Sequence, residues 1–289
     1  MGSAVPDFPI IDSHVHLTDP KRLGYAWTKN APSLNRQVLP NDLMKAAAPV
    51  RIEKFVFVEV DVDFPQHVAE AQWVDGLAQG DPRLAGMVAA LPLEQGKAVE
   101  AELDKLLHCK TLRGIRRLIQ NQPDPDFCIR PDFVEGVKLL AAPNLVFDIC
   151  IFHHHLPNAI KLVQQCPEVR FVLDHIGKPG IKAGISEPWR QHMKELAGLP
   201  NVTCKISGVT TEADHKSWTR EQLKPYIAHA IESFGFQRVM YGGDWHVSEL
   251  AGTYRQWVEV LDWVIEGATP AEKRKLYRDN AIRVYRLDQ

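Results

Sequence analysis

Eight short apolar runs recur along the chain, and their spacing restricts the fold more than any other feature. They cover residues 10–16, 54–60, 84–91, 112–119, 146–151, 170–175, 202–207 and 238–242. Each is rich in Val, Ile, Leu or Phe, as buried parallel strands are. Between them lie longer segments with helical spacing, clearest at 67–77, 98–108, 132–140, 158–166, 189–197, 220–234 and 255–265. In 158–166, Ala159, Leu162, Val163 and Cys166 form an i, i+3, i+4, i+7 stripe. Thr219 is placed to cap the 220–234 helix, and Thr269 and Pro270 to cap and open one more near the end of the chain. Strand and helix therefore alternate, which argues for βα units. Eight units in one series predict an α/β fold, a (β/α)8 TIM barrel, for which about 250 residues are typical. A doubly wound open sheet is the alternative, but no GxGxxG loop follows any strand. No linker divides the 289 residues, so one barrel domain over 1–289 is expected. The longest irregular region, 20–43, follows the first strand, where a barrel loop would cover a substrate.

Composition narrows the partners. The net charge is -2, with 34 basic residues balanced by 36 acidic ones and scattered among them, so no nucleic-acid footprint is present. No apolar stretch reaches 18 residues and no signal peptide is visible, so no membrane role is expected. Cys109, Cys128, Cys150, Cys166 and Cys204 match neither a zinc knuckle nor a disulfide framework. Buried free thiols fit a reducing, cytoplasmic setting.

Polar residues gather where the strands end. The first run reads "PIIDSHVHLTD", and alternation puts His14 and His16 on one face with Asp12 below them. The fourth carries Arg113, Arg116 and Arg117, and parity alone leaves open which of them faces inward. The fifth runs into His153, His154 and His155. The sixth ends "FVLDHIGKPG", giving Asp174, His175 and Lys178; the seventh offers Lys205 and Ser207; the eighth ends "VMYGGDWH". In a barrel these ends share one mouth. Isolated buried charges cost roughly several kcal/mol unless paired or ligated, so their repetition on six strands points to a site rather than a core.

The best constellation is His14, His16, His175 and Asp244. Three imidazoles and a carboxylate suit one divalent ion such as zinc. Asp244 could instead hold the water as general base. A metal-free cluster, in which histidine and arginine polarise a carbonyl, is the alternative. A two-metal centre is not expected, because "LRGIRRLI" holds neither Lys nor Glu. Arg116 can fork onto a carboxylate or a carbonyl oxygen. His155 is expected to face the substrate, and Tyr25, Trp27 and Trp245 to form an apolar rim. Asp174 is expected to face away from His175 as a supporting carboxylate.

The ordered set "IDSHVH", "GIRRLIQ", "FVLDHIGKP", "NVTCKISG" and "GGDWH" resembles the amidohydrolase superfamily, in its amidohydrolase 2 group. Within that group the chain is most similar to the sugar lactonases of the L-fuconolactonase and L-rhamnono-lactonase kind. The resemblance implies a (β/α)8 barrel and opening of an aldonolactone to the sugar acid by activated water. It also implies His14 and His16 as the first-strand pair, His175 and Asp244 as their partners, and His155 as the histidine before Leu-Pro. Related members hydrolyse pyrone-dicarboxylate or sulfonated muconolactone, others decarboxylate aromatic acids, and some lactonases work without bound metal. A catalytically inactive sugar-binding barrel is a further alternative. Two departures fall on the substrate side: Val15 stands between the histidines where sugar lactonases usually have Gln, and His246 follows "DW" where Pro is common. Both bear on the substrate more than on the reaction.

Overall fold

The computed structural model describes residues 5–288. All eight apolar runs become parallel strands, hydrogen-bonded in sequence order. They are β1 Ile10–Val15, β2 Ile52–Val58, β3 Leu84–Ala90, β4 Leu112–Arg116, β5 Val146–Ile149, β6 Arg170–Leu173, β7 Val202–Ile206 and β8 Val239–Tyr241. The ring closes where Val15 bridges Trp245. There His16 N donates to Trp245 O at 2.6 Å, and Asp244 N to His14 O at 2.9 Å. Helices return the chain between strands: α1 Pro40–Ala47, α2 His67–Gly80, α3 Glu100–Leu107, α4 Pro131–Lys138, α5 Leu156–Gln165, α6 Trp189–Ala197, α7 Arg220–Phe234 and α8 Tyr254–Val264. The expected caps form: Thr219 accepts from Gln222 N, and Thr269 shares a capping box with Glu272 at the start of α9, Pro270–Arg274. Helix α1 was not foreseen. Its eight residues adjoin the irregular segment, and their apolar stripe is too short to register as periodic.

The strand period of two separates the inner and outer faces of the barrel wall. Phe55, Phe57, Phe147 and Phe171 pack outward, under the helices. Val56, Val58, Val88, Val146, Val172 and Met240 point inward, where they meet Ala281, Val284 and Tyr285 of α10, Asn280–Tyr285. The last helix thus packs against the inner apolar layer of the barrel. Two residues further along the strands, the inward positions turn polar: Arg116, Asp148, Asp174 and Lys205 follow Gly114, Val146, Val172 and Thr203. All four charged side chains are buried.

One expectation about β1 fails. Asp12 pairs opposite Phe55 and Val15 opposite Phe57, so three steps on β1 match two on β2. This bulge flips the parity. Ile11 faces inward with the apolar layer, as do His14 and His16, whereas Asp12 faces outward. Its carboxylate accepts from His14 N and Gly243 N, and from Tyr254 Oη of α8 at 2.8 Å. Asp12 therefore fixes the β1–β8 seam and lies outside the histidine cluster.

Candidate active site

The bulge and the barrel closure bring four donor atoms together. His14 Nε2 and His16 Nε2 are 3.2 Å apart. Asp244 Oδ1 lies 3.7 Å from His14 Nε2, 3.4 Å from His16 Nε2 and 3.9 Å from His175 Nε2. Zinc-type arms of about 2.1 Å would set tetrahedral donors about 3.4 Å apart, so His14, His16 and Asp244 fit one divalent ion, and His175 stands beside them through Asp244. The far side of each ring supports this. His16 Nδ1 donates to Val58 O at 2.8 Å, which leaves its Nε2 lone pair free. His175 Nδ1 meets Ser207 Oγ at 2.9 Å. Burial lowers the pKa of His175 to about 4 and that of His14 well below its ordinary value, which keeps both rings in the neutral, ligating form. Burial alone would raise Asp244, but the surrounding His175, His16 and His14 outweigh it and hold the carboxyl below its usual range.

Backbone conformation aims two of these groups. His175 and Asp244 both occupy the left-handed region, with φ of 56° and 51°, which is uncommon for non-glycine residues and clusters at functional sites. The turn at His175 ends strand alternation, so Asp174 and His175 both enter the barrel. Asp174 was expected to face away; instead its Oδ1 lies 3.4 Å from His14 Nδ1. Gly208, with φ of 57°, makes room for the His175 ring: a Cβ there would sit 2.5 Å from Nδ1.

Beneath the donors runs a buried charge network. Of the three arginines, β4 turns Arg116 inward. Its Nε donates to Glu59 Oε1 at 2.5 Å, its Nη1 to Asp174 Oδ2 at 3.1 Å and its Nη2 to Glu59 O. Arg117 instead forks onto Glu94, and Arg113 donates to the Lys110 and Leu112 carbonyls. Lys205 Nζ reaches Asp148 at 2.5 Å, Asp174 at 3.1 Å and His14 Nδ1 at 3.3 Å. Burial would raise Asp174, but Lys205 and His14 prevail and hold it well below its ordinary value. Glu59 and Asp148 were not singled out from the sequence. The available signal was the one used elsewhere, a lone charge closing or interrupting an apolar run.

A cavity of about 320 Å³ opens above the donors. His16, His175, Asp244, Arg116 and Trp27 line it, as expected. Trp27 is fixed by its Nε1 donating to Val60 O at 2.7 Å. A larger surface cleft of about 640 Å³, between Phe8 and Arg274, contains none of these groups. Four expected substrate contacts are not brought to the cavity wall. Residues 153–155 wind into one tight turn before α5, where His155 Nδ1 accepts from Phe152 N and its ring packs on His154. Tyr25 is buried with Leu23, Val60 and Val62. Trp245 is buried in the β1–β8 seam, its Nε1 donating to Glu249. His246 is fully buried, with Nε2 facing Leu34 O at 3.3 Å. Sequence reading had not placed Gln120 or Glu212, which do line the cavity together with Lys178.

Known proteins resemble this chain along most of its length. A family model described as amidohydrolase matches residues 11–287. An L-fucono-1,5-lactonase of Burkholderia ambifaria is 30% identical, over 96% of this chain and 96% of its own. A 4-sulfomuconolactone hydrolase of Rhizobium radiobacter is 21% identical, over 81% of this chain and 74% of its own. A crystal structure of an amidohydrolase from Burkholderia multivorans with bound zinc superposes with a TM-score of 0.85 at 29% identity, covering 96% of this chain and 99% of that one.

Proposed function

The chain belongs to the amidohydrolase family, and on that premise we propose that it is a lactonase opening the ester ring of a neutral aldonolactone, of the L-fucono or L-rhamnono kind, to the sugar acid. The observation that carries this reading is the convergence of the His14 and His16 Nε2 atoms on the Asp244 carboxylate, with His175 Nε2 3.9 Å from that carboxylate, beneath a cavity that has Arg116 in its wall. Charge favours a neutral substrate. The two basic side chains of the wall, Arg116 and Lys178, already face Glu59 and Asp174, and Glu212, respectively. The lactonase relative and the zinc-bound neighbour support the same reaction with zinc as the ion. Five unpaired cysteines fit a cytoplasmic setting, and no helix among the described residues is long and apolar enough to cross a membrane.

His14, His16, His175 and Asp244 would hold the ion, which when bound would polarise the lactone carbonyl and acidify a water. Asp244, ionised at neutral pH, accepts the proton of the attacking water as its oxygen bonds to the carbonyl carbon. Arg116, locked by Glu59 and Asp174, retains N–H groups that can donate to the carbonyl oxygen as charge grows there. The bond from carbonyl carbon to ring oxygen then breaks. Asp244 returns the proton to the departing oxygen, giving a carboxylate and a hydroxyl. The test is acid release, followed with a pH indicator, from aldonolactones and from carboxylated lactones, using metal-stripped and zinc-restored enzyme. Zinc-dependent release from a neutral lactone is expected. Equal rates without metal would remove the ion from the reaction, and release only from carboxylated lactones would overturn the substrate class.

A further inference from the structure

Above the reacting centre, one stretch of cavity wall carries hydrogen-bonding groups that the hydrolytic step does not use. Glu212 ends the short turn Thr210–Glu212 after β7. Its backbone is pinned: Lys182 N donates to Glu212 O at 3.0 Å, and Thr211 Oγ1 closes the turn on Gly208 O at 2.9 Å. Its side chain is only 17% exposed, yet among the described residues no group donates a hydrogen bond to the carboxylate. The nearest cation, Lys178 Nζ, stands 3.9 Å away, beyond hydrogen-bond reach. Lys178 itself donates to Gln120 Oε1 at 2.6 Å, and that oxygen also takes the Cys150 thiol at 3.4 Å. The Gln120 oxygen is thus occupied while its NH2 group and two ammonium N–H bonds of Lys178 stay available.

Half-buried on the cavity wall, with Lys178 as its ion-pair partner but no hydrogen-bond donor among the described residues, the carboxylate is placed to accept from a ligand. The wall offers one strong acceptor beside several donors, which matches neighbouring hydroxyl groups that donate and accept in turn. It does not match a further carboxylate on the substrate, which Glu212 would repel. Trp27, Val247 and Leu250 add apolar surface to the same cavity.

We propose that Glu212, supported by Lys178 and Gln120, is the specificity-determining residue that accepts hydrogen bonds from the ring hydroxyls of the lactone and so selects polyhydroxylated, uncharged substrates. This rests on the lactonase reading above. The test compares kcat/KM for an aldono-1,5-lactone and for unsubstituted δ-valerolactone, in wild type, Glu212→Ala and Glu212→Gln, all zinc-supplemented. A hydrogen bond to a charged group that one substrate makes and the other lacks predicts a fall of about 10- to 100-fold on the aldonolactone in Glu212→Ala, mostly in KM. Turnover of δ-valerolactone should stay within about threefold, and Glu212→Gln, which keeps an acceptor oxygen, should lie between. Equal falls on both substrates in both variants would overturn the assignment, as would unchanged rates on both. If wild type opens no lactone at all, the hydrolase reading fails and this inference with it. If wild type opens lactones while Glu212→Ala keeps the hydroxyl preference, this inference alone fails.

Discussion

Glu70 shows what burial does to a carboxyl group that has no cation of its own. It projects from α2 into the space beside Glu59 and is 1% exposed, with Oε1 unpartnered among the described residues. Burial raises its pKa well above the ordinary value of 4.5, and the Glu59 carboxylate adds to the effect. The nearest guanidinium, Arg116, is committed to Glu59 and Asp174. The folded chain therefore binds this proton more tightly than the unfolded chain does. Above pH 4.5 the unfolded state releases it first, so unfolding becomes easier as pH rises toward the folded-state pKa. Glu70→Gln removes the linkage. Urea denaturation at pH 5 and pH 8 should show the variant gaining on wild type as pH rises; a gap that does not change with pH would contradict this. At this scale the sequence was informative about chemistry and poor about direction. It named His14, His16, His175 and Asp244, which the fold does bring together, but assigned His155, Tyr25, Trp245 and His246 to a cavity that they do not line.

Elements decide direction, and the short turns after the strands matter more than the strands. The alternation rule held along β5 to β7, and was interrupted by register shifts in β1 to β4 and by the left-handed turn after β6. Neither kind of departure is written in apolar periodicity, because each depends on closing the ring and on contacts with residues on other strands. Gly208 is the clearest case. Its φ of 57° favours glycine, and its approach to His175 is permitted only without a side chain. Gly208→Ala should displace the His175 ring from Ser207 and Asp244. We expect at least a tenfold loss of zinc affinity, measured by chelator competition, with destabilisation of about 1–3 kcal/mol in the same sample. Unchanged zinc affinity would show that the ring tolerates the methyl group.

For the whole molecule the deciding feature is the buried charge network between the apolar plug and the cavity. Lys205 is fully buried, and its ammonium meets Asp148, Asp174 and His14, while Tyr285 of the last helix donates to Asp148 at 2.9 Å. Removing one partner of such a network strands the others. Lys205→Met should cost about 3–5 kcal/mol in chemical denaturation, and adding Asp148→Asn should recover part of that loss. A cost below about 1 kcal/mol would show that the network is not what holds the floor of the site.

The sequence by itself determined the number of strands, their order, the barrel, and the residue types at the carboxyl ends. These follow from local patterns: apolar runs that must be buried, helical stripes between them, and charges too costly to bury without purpose. It also carried the family motifs, since those are short and ordered along the chain. Only the tertiary structure decided which arginine turns inward, that Asp12 leaves the histidine face while Asp174 joins it, and that Glu59, Asp148 and Lys205 form one network. It alone placed Glu212 and Gln120 on the cavity wall. Those outcomes depend on ring closure and on packing between strands distant in sequence, so no local pattern encodes them.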